Sequence, residues 1–212
     1  MPTVEQAREW YPEQDPVHGF DHVLRVLHMA ESIGAELGAD LEVLRAAALL
    51  HDAAGAAPGP GGGRQTHEQA SAEFAAEVLR REGWPEDRIQ QAAHCIRAHR
   101  FRSVEAPGTL EAKILYDADK LDVLGAFGVA RTIGYAFQAG EPVFAEPSAA
   151  FRRSGERQPG EPHSAYHEFL FKLQHVAGRL HTEPGRRIGV ARSALMRRFF
   201  EQLALEAAGG DA

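Results

Sequence analysis

Apolar residues recur at helical spacing along nearly the whole chain. Val23, Val26, Leu27, Ala30, Ile33, Gly34 and Leu37 follow an i, i+3, i+4, i+7 rhythm, which predicts a helix over 20–37 that Gly38 can end. Residues 41–53, LEVLRAAALLHDA, are apolar on almost every side, as a central buried helix would be. Thr66 and Gln69 have capping-box spacing ahead of a helix to about Glu82, with Ala70, Ser71, Phe74 and Val78 on one stripe. Pro85 suits the first turn of a helix reaching about Ala98. Residues 109–137 predict one long or two abutting helices, broken near Gly125 or Gly128, and 164–180 and 184–207 predict two more. No alternating strand and no internal repeat stands out. The expected class is all-α, a compact multi-helix bundle forming one domain over 1–212, with its core at about 18–137.

Two stretches interrupt the pattern. Residues 55–63, GAAPGPGGG, hold five Gly and two Pro and predict a flexible loop. Residues 139–162 hold Pro142, Pro147, Pro159 and Pro162 with little periodicity, which predicts a long loop or partly ordered insert before the C-terminal helices at about 164–207.

Composition narrows the function. The 212 residues carry 23 Lys plus Arg against 30 Asp plus Glu, a formal charge of −7. That balance argues against an interface with a nucleic acid polymer, though a local basic pocket could still hold a small phosphorylated ligand. The single Cys95 excludes a disulfide scaffold and a Cys-rich zinc module within one chain. No apolar run approaches the ~18–20 residues of a membrane span, and MPTVEQAREWYPEQ has no secretory-signal pattern, so a cytoplasmic location is expected. Eleven His residues direct attention to metal or acid–base chemistry.

Metal-ligand side chains occur where helices should be buried. His22 sits at the edge of the first apolar stripe, His51 and Asp52 close the apolar helix, and Asp119 lies in LEAKILYDADKLDVLG. Such polar groups are costly in a core unless satisfied, and one divalent cation would satisfy all four. Two imidazoles and two carboxylates suit Mn²⁺, Fe²⁺, Co²⁺, Ni²⁺ or Zn²⁺ better than Ca²⁺. Four protein ligands would leave about two octahedral positions for water or a phosphate oxygen, which hydrolysis requires.

The ordered set HxxxH…HD…D, carried by HGFDHVLRV, LLHD, CIRAHRFR and TLEAKILYDADKLDVLGAFGVAR, resembles the HD superfamily of metal-dependent phosphohydrolases. Within it the chain is most similar to the short bacterial HD hydrolases that act as nucleotide pyrophosphohydrolases. The resemblance implies an all-α fold and metal ligands His22, His51, Asp52 and Asp119, with Mn²⁺ favoured and Mg²⁺ also admissible. It implies that Lys120 holds a substrate phosphate, and that a (d)NTP is cleaved to (d)NMP and pyrophosphate by metal-activated water. Another phosphoester substrate (a nucleoside monophosphate, an alarmone or a cyclic nucleotide) and a non-catalytic nucleotide-binding module are the alternatives. Some relatives carry a catalytic Glu a few residues after the HD pair; here the run is HDAAGAAPG, without a carboxylate.

Further candidates surround this set. His67 shares a stripe with Ser71, Phe74 and Val78, so it should face inward to the water, the substrate or a second metal; Glu68 beside it is either catalytic or a helix-dipole partner. His99 shares the stripe of Ala92 and Ile96, whereas His94 falls off it and reads as surface. Arg25, one turn from His22, and Arg64, on the glycine-rich loop, are candidate phosphate contacts. Asp117 and Asp122 flank Asp119, and Asp122 is a candidate to orient a ligand or line the substrate pocket. The expected partner is a small nucleotide rather than a membrane, and a homodimer is compatible with the pattern.

Overall fold

A computed structural model describes residues 1–11, 19–54, 67–100 and 105–210. Among these, every regular element is helical: α1 Val4–Arg8, α2 Phe20–Leu37, α3 Leu41–Leu50, α4 His67–Arg81, α5 Glu86–Ala98, α6 Leu110–Leu121, α7 Gly125–Gln138, α8 Ala149–Ser154, α9 Ala165–Phe171 and α10 Glu183–Ala207. The fold is all-α, as the periodicity predicts.

Local chemistry sets the element ends. Thr3 Oγ1 accepts from the Gln6 N–H while the Gln6 side chain accepts from the Thr3 N–H, a capping box that starts α1, a helix the apolar rhythm does not reveal. Gly38, with φ 70°, closes α2 in the left-handed conformation that costs glycine least. Asp40 Oδ1 then accepts from the N–H groups of Glu42 and Val43 and starts α3. Pro85 caps α5, and Gly125, with φ 71°, divides α6 from α7 where a break is expected.

The chain forms two compact units. The first comprises Met1–Asp119 and His181–Gly185. In it α2 packs on α3, α4 on α5, and α3 touches both α4 and α5. Every residue of α3 from Val43 to Leu50 except Arg45 is buried, and its four large aliphatic side chains contribute about 1.5–3 kcal/mol each by burial. A Cβ on Gly34 would come within 2.6 Å of Leu44 Cδ1, so the missing side chain lets α2 and α3 approach closely. That approach brings His22 toward the end of α3.

The second unit comprises Lys120–Leu180 and Arg186–Ala212. Phe151, Tyr166, Phe169, Leu173, Met196 and Phe200 are buried in it, with Phe169 stacked on Phe200 at a centroid distance of 4.6 Å. Two sequence expectations change here. Residues 164–180 are not one helix: α9 ends at Phe171 and two 3₁₀ turns follow, Leu173–His175 and Ala177–Arg179. The 139–162 stretch also contains a helix, α8, capped by Ser148 and ended by Gly155 in the left-handed conformation. Glu161 organises this stretch, accepting from the N–H groups of Ser148 (2.7 Å) and Gln158 (2.6 Å), and it lies 3.3 Å from Nε2 of the fully buried His167. Those backbone N–H groups draw the Glu161 carboxyl down to about 2.

Candidate metal centre

The HD pair sits where α3 stops. His51 is its C-cap, with its backbone still helical (φ −61°, ψ −30°), and Asp52 lies in the turn beyond; the two adjacent side chains nonetheless meet, His51 Nε2 lying 3.6 Å from Asp52 Oδ2. Two hydrogen bonds hold that turn: Ala53 N–H donates to Leu50 O (3.2 Å), and Ala54 N–H donates to Oγ of Ser71, a buried residue of α4 (3.2 Å).

His51 is fully buried and donates from Nδ1 to Ala48 O at 2.8 Å. Burial lowers its pKa to about 4, the Asp52 carboxylate opposing this only in part. Near neutral pH the ring is therefore uncharged, with its lone pair on Nε2. That nitrogen lies 3.4 Å from His22 Nε2 and 3.6 Å from Asp52 Oδ2, and His22 Nε2 lies 3.5 Å from Asp119 Oδ1. Of the DAD aspartates it is Asp119 that faces His22. Asp117 is fully buried and accepts from the His181 and Thr182 N–H groups and from Thr182 Oγ1, at 2.6–2.8 Å.

The other oxygen of Asp52 meets a second pair of imidazoles. Oδ1 lies 3.2 Å from His67 Nε2 and 3.6 Å from His99 Nε2. His99 is buried and its Nδ1 donates to Ile96 O at 2.5 Å. Among the described residues two sets of donor atoms thus lie within 4.8 Å of one another, His22 with His51 and Asp52, and Asp52 with His67 and His99. Burial alone would raise the Asp52 carboxyl, but the imidazoles of His51, His67 and His99 outweigh it and hold the group well below the usual carboxylate range. Even so, Asp52 Oδ1 is a buried oxygen with no hydrogen bond among the described residues. Leaving such an atom unsatisfied costs about 1–3 kcal/mol or more, and a cation held between it and the imidazoles removes that cost. The donor set fits a divalent transition metal, as nitrogen and carboxylate oxygen donors together should.

The family model for the HD domain matches residues 19–124, a span that contains all of these residues. The chain belongs to the HD domain family. YpgQ of Bacillus subtilis (strain 168) is 27% identical over 220 residues, which cover 100% of this chain and 97% of YpgQ. The crystal structure of Bacillus subtilis YpgQ in complex with ADP matches with a TM-score of 0.72 at 26% identity, covering 95% of this chain and 96% of that one. A predicted HD superfamily hydrolase from an uncultured Thermotogales bacterium matches with a TM-score of 0.65 at 25% identity, covering 96% and 90%.

The remaining expected HD-site residues are distributed as follows. Glu68 Oε2 lies 3.7 Å from His67 Nδ1 and accepts from Arg100 Nη1 at 3.0 Å. Arg25 Nη1 donates to Asp21 on the same helix at 2.5 Å. Lys120 occupies the last turn of α6 and is half-buried. Asp122 is buried and paired with Arg131. Arg64, Thr66 and the whole glycine-rich stretch 55–63 lie outside the described residues. His94 is not a surface residue: it is half-buried, its Nδ1 pairs with Glu105, and its Nε2 accepts from the Gly108 N–H at 3.1 Å. Arg100 falls within the CIRAHRFR segment, but nothing in the local spacing marks its partner Glu68, 32 residues away.

Proposed function

We propose that this HD-family protein is a metal-dependent phosphohydrolase of nucleotides, converting a (d)NTP to (d)NMP and pyrophosphate. The observation that supports it most is the convergence of His22, His51, Asp52 and Asp119 from three separate segments, beside a second donor set that shares Asp52. The likeness to YpgQ, whose crystal structure is in complex with ADP, supports a nucleotide ligand.

His22, His51, Asp52 and Asp119 would hold a divalent ion, Mn²⁺ in the first instance. His67 and His99, with Asp52 Oδ1, would hold a second. A divalent ion bound there supplies two things, acidification of water from a pKa of ~16 toward ~7 and polarisation of a phosphoryl oxygen. The chain's own groups do the rest. His51 is already deprotonated near neutral pH and Asp52 already ionised, so cation binding displaces no proton from either. Hydrogen bonds from Nδ1 of His51 and His99 to backbone carbonyls orient both rings, the supporting contact that ligating imidazoles require. Lys120, directly after Asp119, is the proposed cation for a substrate phosphate, and Glu68 stands 3.7 Å from the other ring nitrogen of His67, Nδ1. In this reading His67 acts as a metal ligand.

A turnover panel tests the proposal. Purified protein would be given the four NTPs and four dNTPs with Mn²⁺, Co²⁺, Ni²⁺, Zn²⁺ and Mg²⁺ in turn, and products resolved by chromatography. Monophosphate plus pyrophosphate is the expected outcome. Diphosphate plus phosphate would refute the pyrophosphohydrolase assignment while keeping phosphohydrolysis, and no product from any nucleotide with any metal would refute both.

A further inference from the structure

The turn that aims Asp52 is held from outside the helix it ends. The last carbonyls of a helix have no partner within it, and at the end of α3 Ala48, Leu49 and Leu50 are all buried. Two of these carbonyls are bound locally: Ala48 O by His51 Nδ1, and Leu50 O by the Ala53 N–H. A helix that continued would send the Ala53 N–H to Leu49 O instead. Leu49 O is taken by Tyr11, whose hydroxyl donates to it at 2.9 Å across 38 positions of sequence. Tyr11 is itself buried. Burial, together with the Asp52 carboxylate, raises its pKa well above the usual tyrosine value, so the hydroxyl keeps the proton it donates.

Contacts on three sides set the Tyr11 ring. α1 packs on α3 with Ala7 fully buried. Trp10 meets Phe74 of α4 edge-on at a centroid distance of 5.4 Å. The Tyr11 ring lies 5.5 Å from that of Phe20, the first residue of α2, and the Arg8 guanidinium stands 4.6 Å over the same Phe20 ring. α1 and the turn after it thereby brace the helices on which His22, His51 and His67 are set. On the metal-centre part of the reading above, we propose that Tyr11 is a positioning residue for Asp52. By occupying Leu49 O, its hydroxyl keeps the Ala53 N–H on Leu50 O, and so keeps the chain in the tight turn from which Asp52 reaches both sets of imidazoles. Without the hydroxyl, Leu49 O is a buried acceptor that the Ala53 N–H satisfies only by extending α3, which re-aims Asp52. A brace that merely stabilised the bundle would change stability and leave the surroundings of the ion as they are.

The bound ion reports the difference. Tyr11→Phe removes one oxygen and keeps the ring. Mn²⁺ affinity of the full chain would be measured by competition with a chromophoric chelator, and the geometry of the site by the visible absorption of the Co²⁺-loaded protein. The metal-free variant is expected to keep the helical circular dichroism of wild type. It should bind Mn²⁺ about tenfold more weakly or worse, and its Co²⁺ bands should differ from wild type in position or intensity. Wild-type Mn²⁺ affinity with an unchanged Co²⁺ spectrum, whatever the Tm, would overturn the assignment. Loss of the helical signal in Tyr11→Phe would overturn it as well, by making the hydroxyl a determinant of the fold. Wild-type protein that binds no Mn²⁺ would defeat the metal-centre reading and the role of Tyr11 with it. Wild-type protein that binds Mn²⁺ and cleaves no nucleotide would defeat the phosphohydrolase reading alone, and the Mn²⁺ and Co²⁺ data would still decide the role of Tyr11.

Discussion

Asp52→Asn is the most informative single change, because Asp52 is common to both donor sets while the amide keeps its volume. Two unit charges ~4 Å apart interact by about 4 kcal/mol at an effective dielectric of ~20, and a divalent ion increases this. Taking the lower figure, the substitution should weaken metal binding about 10³-fold. Linkage converts this into a thermal shift. With free metal at ~1000 times the wild-type Kd, the ion stabilises wild type by about 4 kcal/mol and the variant by about 0.4 kcal/mol. For a chain of this size, 1 kcal/mol moves Tm by roughly 2–4 °C. Adding Mn²⁺ should therefore raise Tm by about 8–16 °C in wild type and by about 1–2 °C in Asp52→Asn. Helical circular dichroism without metal should match between the two. A variant with the full wild-type shift would refute the placement of the ion at Asp52.

Three further outcomes are expected. His51 stays uncharged in the fold down to about pH 4, whereas in the unfolded chain it titrates near ~6.5, so the unfolded state binds the extra proton and stability falls as pH drops through that window. Metal-free protein should be about 2 kcal/mol less stable at pH ~5 than at pH ~7 by urea unfolding on this account; an undiminished difference in His51→Gln would contradict it. Lys120→Ala should raise KM or lower kcat about tenfold with bound metal unchanged, and unchanged kinetics at every substrate concentration would place Lys120 outside the substrate site. Gly185→Ala should lower stability by about 1–3 kcal/mol, since a methyl there would overlap Asp117 Oδ2 in the clip with Thr182; a Tm equal to wild type would show that the clip yields.

The extent to which the sequence disclosed this arrangement follows from the range of the interactions. The α2 stripe and the all-round apolar α3 are local patterns, so both helices and their ends at Gly38 and near the HD pair are readable from spacing. His22, His51, Asp52 and Asp119 are readable as a set because polar groups at buried helix ends need a partner. The inward face of His67 and His99 follows from their stripes. What periodicity does not carry is the pairing of distant residues. The clip from Asp117 to Thr182 spans 65 positions and the Glu68–Arg100 pair spans 32, and nothing in either neighbourhood marks the partner. His94 leaves its helix stripe, a pattern that predicts a surface position, yet Glu105 and Gly108 come back to cover it. The helix expected over 164–180 fails after Phe171, where Lys172 (φ −119°, ψ −56°) departs from regular helix geometry and 3₁₀ turns follow.

The central claim is that the His22, His51, Asp52 and Asp119 cluster holds the ion on which hydrolysis depends. The direct measurement is metal content and dATP turnover on the same chelator-stripped sample as Mn²⁺ is restored in steps. The expected result is no turnover in the stripped protein and a rate that rises in proportion to bound metal, with Asp52→Asn silent throughout. Undiminished turnover in the stripped protein, or full turnover by Asp52→Asn, would contradict it.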